Sequence, residues 1–273
     1  MRRTRSAILL SLLVAAAAIR LLAQQSARPE VAEQLLAEAN RSRAQNGAAP
    51  LQWDESLARA ALRHSVRMAA ESEISHRFPG EASVEDRTSA SGAHFSLIEE
   101  NVGVSSRADL LHPGWMNSPE HRKNLLNPAV DRVGIGVVFA HGFYYATADF
   151  ARSVPVLSRE QVEDTVAALI RVQGIAVSTD RGPAREACRT ERGMPSGIGA
   201  GQSAFVMRWQ DSDLSRLPDA LVGKIRSRAY RRAEVGSCPP QGDAGAFTSY
   251  RLAVVLLSGG EQTSTPGLSQ PYD

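Results

Sequence analysis

Trp115-Met116-Asn117-Ser118-Pro119-Glu120-His121-Arg122-Lys123-Asn124-Leu125-Leu126 is the stretch whose reading decides the fold. Ser118 is a favoured N-cap, and Pro119 suits the first helical position, where its missing N–H costs nothing. The spacing therefore starts a helix at Ser118-Pro119 and puts His121 in its first turn, beside unsatisfied backbone donors. An imidazole given a fixed direction in this way is readily used as a ligand or a base.

Upstream, Val31, Leu35, Leu36 and Ala39 recur at helical spacing and Gly47 follows, which predicts a helix over Pro29–Gln45. Asp54 caps a second helix whose inner face is Leu57, Ala61, His64 and Met68. Gly80 to Ala93 is polar and lacks an apolar period, so it reads as a long surface connection. Downstream, Arg132 to Phe139 and Phe143 to Phe150 flank a turn at Ala140 to Gly142 and predict a β-hairpin. Ser153 to Leu157, with Pro155, reads as a linker.

Beyond the linker a second unit begins, with Ser158 and Gln161 forming a capping box ahead of Val162, Val166, Leu169 and Ile170. A glycine-rich loop over 193–201, a strand at Ala204 to Trp209, a helix at Pro218 to Arg232 and a strand at Tyr250 to Leu257 complete a small α+β module over 153–258. Gly197 to Gly201 resembles a nucleotide-binding loop only superficially, because a strand and not a helix N-terminus follows it. The Ser/Thr/Pro/Gly-rich end, 259–273, is expected to be disordered.

Met1 to Arg5 is basic and Ala7 to Ile19 is an uncharged, apolar run with Ser11 its one polar residue, the order of a secretory signal peptide over 1–27, with the mature chain starting near Gln24 to Arg28. Arg20 ends the run short of the roughly 20 residues that span a bilayer, although an uncleaved N-terminal anchor is the alternative. A secreted, extracellular or periplasmic protein is expected. The net charge of +2 among 273 residues excludes no partner class by itself. Cys188 and Cys238 are the only cysteines, and in an oxidising compartment they are expected to be bridged, with two buried thiols as the alternative.

Three remote stretches carry metal-ligand or acid–base side chains: His76, Glu100 and His121. Two imidazoles and a carboxylate suit zinc or a similar divalent cation with an open fourth position. There is no His-Glu-x-x-His helix, so the spacing alone is not diagnostic. His64 is read as a hydrogen-bonded core residue, His94, His112 and His141 as exposed loop residues, and Trp115 as a packing anchor. Asn101 and Asn124 are read as turn or cap residues, Arg43 as the partner of a carboxylate, and Tyr144 and Tyr145 as facing core and solvent in alternation. Lys224, Arg226, Arg228, Arg231 and Arg232 make a basic helix, either a solvated face or a contact for the cell envelope. Without aromatic interleaving it does not point to nucleic acid.

Asn40-x-x-Arg43, Pro50-Leu51-x-Trp53-Asp54, Ser75-His76, Glu100-Asn101-Val102, the Trp115 stretch, Gly134-Ile135-Gly136 and Tyr144-Tyr145-x-Thr147-x-x-Phe150 occur in one order. In that order the stretch from Val31 to Arg152 resembles the bacterial branch of the CAP superfamily, the SCP domain of cysteine-rich secretory, antigen 5 and pathogenesis-related proteins. The resemblance implies an α+β fold for 28–152, an α-β-α sandwich with an antiparallel sheet, and a cleft where His76, Glu100 and His121 meet. Ser118 stands where many eukaryotic members have a second glutamate, Glu99 replaces a glycine, and Ala148 replaces a frequent glutamine. The family is associated with divalent cations, lipids or sterols, and extracellular signalling, and has no general catalytic activity.

The expected function is a secreted, non-enzymatic binding protein using the His/Glu cleft, with Ser118 at its rim, for a divalent cation or a small apolar or cell-envelope ligand. Two alternatives stand beside it. One is a metal-dependent extracellular hydrolase with Glu100 as ligand or base, and the other is an envelope interaction protein whose cleft is vestigial.

Overall fold

The computed structural model describes residues 26–190, 192–196, 203–239 and 246–259, arranged as two units. The first runs to Pro155 and takes in a short later segment ending at Thr248; the second covers the rest. Most of the expected leader and tail, and part of the glycine-rich loop, lie outside the described residues.

In the first unit the elements are β1 (Ser26–Ala27), α1 (Pro29–Gln45), β2 (Gln52–Trp53), α2 (Glu55–Glu71), α3 (Val84–Ser89), β3 (Phe95–Ser105), α4 (Leu111–Asn117), α5 (Pro119–Leu126), β4 (Arg132–Ala140) and β5 (Phe143–Ser153). The sheet order is β1-β4-β5-β3, antiparallel throughout, and β2 adds a short parallel pairing to β4. Ser26 and Ala27, which the leader reading removes, are thus a strand of this sheet.

Alternation along the strands sorts side chains to two covered faces. Ile135, Val137, Ala146, Ala148 and Phe150 pack with Leu35 and Ala39 of α1, Leu111 and Trp115 of α4 and Leu125 of α5. On the other face, Val102, Val138, Ala140 and Tyr145 meet Met68 and Ala69 of α2. The result is an α-β-α sandwich. Tyr144 packs on the first face and Tyr145 on the second, so neither simply faces solvent as alternation suggested.

Two glycines set the α2 spacing: a Cβ on Gly134 would lie 2.0 Å from Ala58 N, and one on Gly136 would lie 2.2 Å from Leu62 N. The helix backbone rests directly on the strand, and Ser65 Oγ donates to Gly136 O at 2.9 Å. Among the described residues Arg43 pairs with no carboxylate. Fully buried, it donates to the carbonyls of Ala49, Leu125, Asn127 and Val130, tying α1 to the exit of α5. His112 is also not a loop residue: it is buried in α4 and bonded to Ser42 Oγ at 2.9 Å.

The second unit is a sheet of order β6-β8-β9-β7, from β6 (Ala176–Val177), β7 (Ala204–Asp211), β8 (Arg232–Cys238) and β9 (Tyr250–Leu257). With it go α6 (Arg159–Val172), α7 (Gly182–Arg189) and α8 (Asp219–Arg226). The Ser158–Gln161 capping box is present at the start of α6, and Cys188 is bonded to Cys238. The expected helix to Arg232 stops at Arg226: Arg228 has φ 58°, and Arg232 opens a strand. The basic residues therefore do not share a helix face, and Lys224 sits over the Phe205 ring.

Candidate functional site

His121 owes its position to β3. Pro119 starts α5 with Ser118 at the N-cap, but the Ser118 side chain makes no cap hydrogen bond. The helix is held instead by two amides: Asn101 Nδ2 donates to His121 O at 2.9 Å, and Asn124 Nδ2 donates to Glu100 O and Asn101 Oδ1, each at 3.1 Å. Asn101 and Asn124 are struts between strand and helix, where the sequence suggested turns or caps.

His76 is brought in from the loop after α2. That loop is pinned by His64, fully within the core, whose Nδ1 meets Glu81 Oε1 at 2.7 Å and Nε2 meets Ser75 O at 2.8 Å. Glu81 in turn accepts from the Phe78 N–H; burial pushes its carboxyl up, but that N–H and His64 bring it below the usual range.

The three sequence-predicted residues converge. His76 Nδ1 lies 2.8 Å from Glu100 Oε1, and the His76 and His121 ring centroids are 6.4 Å apart. Glu100 side-chain exposure is 4% against 59% for His76, so the carboxylate lies behind the imidazole and the ring faces the groove. Because a carboxylate only accepts, Nδ1 carries the hydrogen and the neutral ring presents a lone pair at Nε2. Burial lowers the pKa of both histidines; Arg87 lowers His76 further and His76 lowers His121, while Asp149 acts to raise His76. Both shifts favour the neutral imidazole, the form able to ligate.

Two residues of this cluster escaped the sequence reading. Arg87 lies on α3, inside the stretch read as a surface connection, and is buried with Nη2 on Glu100 Oε2 and Nη1 3.3 Å from His76 O. Asp149 of β5 is paired in register with Glu100 and is entirely buried. Burial raises its pKa to about 7 against the pull of Arg87 and His76. A carboxylate between Ala148 and Phe150, in a strand buried over Tyr145–Ala151, was the available signal.

Among the described residues, no group of three or more His, Cys, Asp or Glu side chains is gathered as a metal cage. Both Glu100 oxygens are engaged, so Glu100 orients His76 from behind. The donor set that remains, two neutral imidazoles with a carboxylate on the far nitrogen of one, fits an open two-histidine cation site with an outer carboxylate. Away from the groove, an open hollow of about 510 Å³ between α1 and α2 is lined by Ala32, Leu36, Trp53, Ala58, Leu62 and Val137.

The family model described as CAP, Cysteine-rich secretory protein family, matches residues 36–150. The protein YkwD of Bacillus subtilis is 33% identical over 100 residues, covering 36% of this chain and 39% of the relative. The membrane protein YlbC of the same organism is 34% identical over 108 residues, covering 38% and 31%. The chain thus spans well under half the length of either relative. A solved structure of an extracellular protein containing a SCP domain, from Bacillus anthracis, is 29% identical with a TM-score of 0.41, covering 46% of this chain and 41% of that one.

Proposed function

We propose, from the premise that residues 36–150 belong to the CAP family in its bacterial form, that this is an extracellular binding protein whose groove takes a divalent cation on His76 and His121. The observation that carries the reading is the pair of neutral imidazoles 6.4 Å apart, one of them fixed by Glu100 at Nδ1. A bound cation would supply positive charge and open coordination positions to an oxygen-bearing envelope ligand. His76 and His121 would hold it, Glu100 would set the His76 ring in the right tautomer before the cation arrives, and Asn101 and Asn124 would keep α5 at its distance.

Binding is favoured over hydrolysis because Oε1 and Oε2 of Glu100 are engaged by His76 and Arg87, so Glu100 does not stand free as a base. The Cys188–Cys238 bond supports an oxidising compartment, as does the basic-then-apolar amino terminus. Among the described residues no helix is long and apolar enough to cross a membrane. The hollow between α1 and α2, whose apolar floor is edged by Arg28, Glu33, Glu55 and Arg59, favours a second reading, a small ligand with an apolar body held apart from the histidines.

Zinc titration of the full chain, followed by thermal unfolding, tests the first reading. A native-state ligand stabilises by mass action, about 2.7 kcal/mol at a hundred times Kd. The melting temperature of the wild type rises with zinc, and the rise is lost in His76→Ala and in His121→Ala. No rise in the wild type, or an undiminished rise in the double variant, refutes it.

A further inference from the structure

Arg87 holds Glu100 with only part of its guanidinium. Nη2 is on Glu100 Oε2 and Nη1 on His76 O, but Nε is buried and has no hydrogen-bond partner among the described residues. Asp149 has the complementary defect: fully buried, it accepts no hydrogen bond at Oδ1 or Oδ2 from the described residues. An unpaired buried donor or acceptor loses its hydration with nothing in return, so two of opposite kind in one cluster call for an explanation. The ladder sets Asp149 directly opposite Glu100, and directly opposed residues project from the same face of a sheet. Asp149 is also the strongest of the charges that favour the protonated Arg87 guanidinium, ahead of Glu81 and Glu85. Glu81 offers no equal alternative, since its oxygens are taken by His64 and the Phe78 N–H.

We propose that Arg87 is shared between two carboxylates: it rests on Glu100, and it passes to Asp149 when a divalent cation on His76 and His121 draws Glu100 toward the groove. The trigger rests on the cation reading above; the handover itself does not. A cation attracts the nearest carboxylate, and Glu100 as a third ligand would strand a buried guanidinium. Asp149 removes that cost by offering two free oxygens to the guanidinium's N–H groups, a fork-to-fork pairing.

The handover is testable without metal. Full-length Glu100→Gln, labelled with ¹⁵N-arginine, is compared with the wild type in Nε–H spectra. Loss of the Glu100 charge sends Arg87 to Asp149, so its Nε–H signal shifts and exchanges with water roughly tenfold more slowly; adding Asp149→Asn abolishes both changes. Should Glu100→Gln not fold, Glu100→Ala, which also removes the charge, gives the same comparison. An Arg87 signal that is the same with and without Asp149→Asn in the variant background overturns the handover. In the zinc arm, Asp149→Asn weakens binding about tenfold in the wild type and has little effect in Glu100→Gln. Equal effects in the two backgrounds overturn the coupling, whereas no zinc response in the wild type overturns the cation reading and the trigger with it.

Discussion

Glu163 in the second unit and Glu100 in the first are both buried carboxylates on arginine, and they are completed to different degrees. Glu163 Oε1 accepts from Arg185 Nε at 2.8 Å and from the Ser237 N–H at 2.9 Å. Its Oε2 accepts from Arg181 Nη1 at 2.8 Å and Arg185 Nη2 at 2.7 Å. Burial pushes its pKa up, and these donors bring it below the usual carboxylate range. Every lone-pair direction has a partner, so Glu163 locks α6, α7 and β8 together. Around Glu100, by contrast, Arg87 Nε and both Asp149 oxygens are left over. A closed network is a strut, and one with matching loose ends can rearrange.

The sharpest way to break this contrast is to cut the strut. Glu163→Leu should destabilise the second unit by roughly 3 kcal/mol, the low end for a broken buried pair, because the Arg181 and Arg185 side chains stay 24% and 29% exposed to water. Chemical denaturation of the full chain measures it, and a loss under about 1 kcal/mol would remove Glu163 from that role.

Asp149 should behave in the opposite way. Its folded pKa of about 7 lies above the unfolded value, so the folded state binds the extra proton between pH ~4 and ~7. Wild-type stability therefore falls as pH rises through that window, by an Asp149-dependent amount on the order of 3 kcal/mol. Asp149→Asn flattens this part of the profile, matching wild type near pH 4 and exceeding it near pH 8. Denaturation midpoints across the pH range decide it; parallel profiles for the two proteins would contradict the burial argument.

The smallest effect concerns helix ends. Ser158 caps α6 through its side chain while Ser118 makes no such bond at α5. Ser158→Ala should cost about 1 kcal/mol and Ser118→Ala under about 0.5 kcal/mol. Equal losses in thermal melts would mean that α5 depends on its cap after all.

Residues that act through local chemistry were readable in the chain. Pro29 with Gly47, Asp54, the Ser158–Gln161 box and the apolar run Tyr250 to Leu257 each announce an element by its own stereochemistry, and those boundaries match. The groove was legible only in part, through the ordered motifs that brought His76, Glu100 and His121 to one place. What escaped were elements whose reason lies elsewhere in the fold. β3 carries Glu99, Glu100 and Asn101 in succession, which breaks any strand-like alternation, and it persists because ten residue pairs join it to β5. α3 has no apolar stripe, since its buried residues are Arg87 and Thr88. Arg43 satisfies four backbone carbonyls, and no pattern of neighbouring residues announces a partner of that kind.

Gly134 is register-paired with Asp149, and the space its absent side chain leaves is filled by the α2 backbone. The dryness around that carboxylate is therefore set by a residue with no polar atom beyond its own main chain. A single methyl group at position 134 would lever the helix away, admit solvent to the aspartate, and retune the groove's electrostatics without touching any group that carries charge.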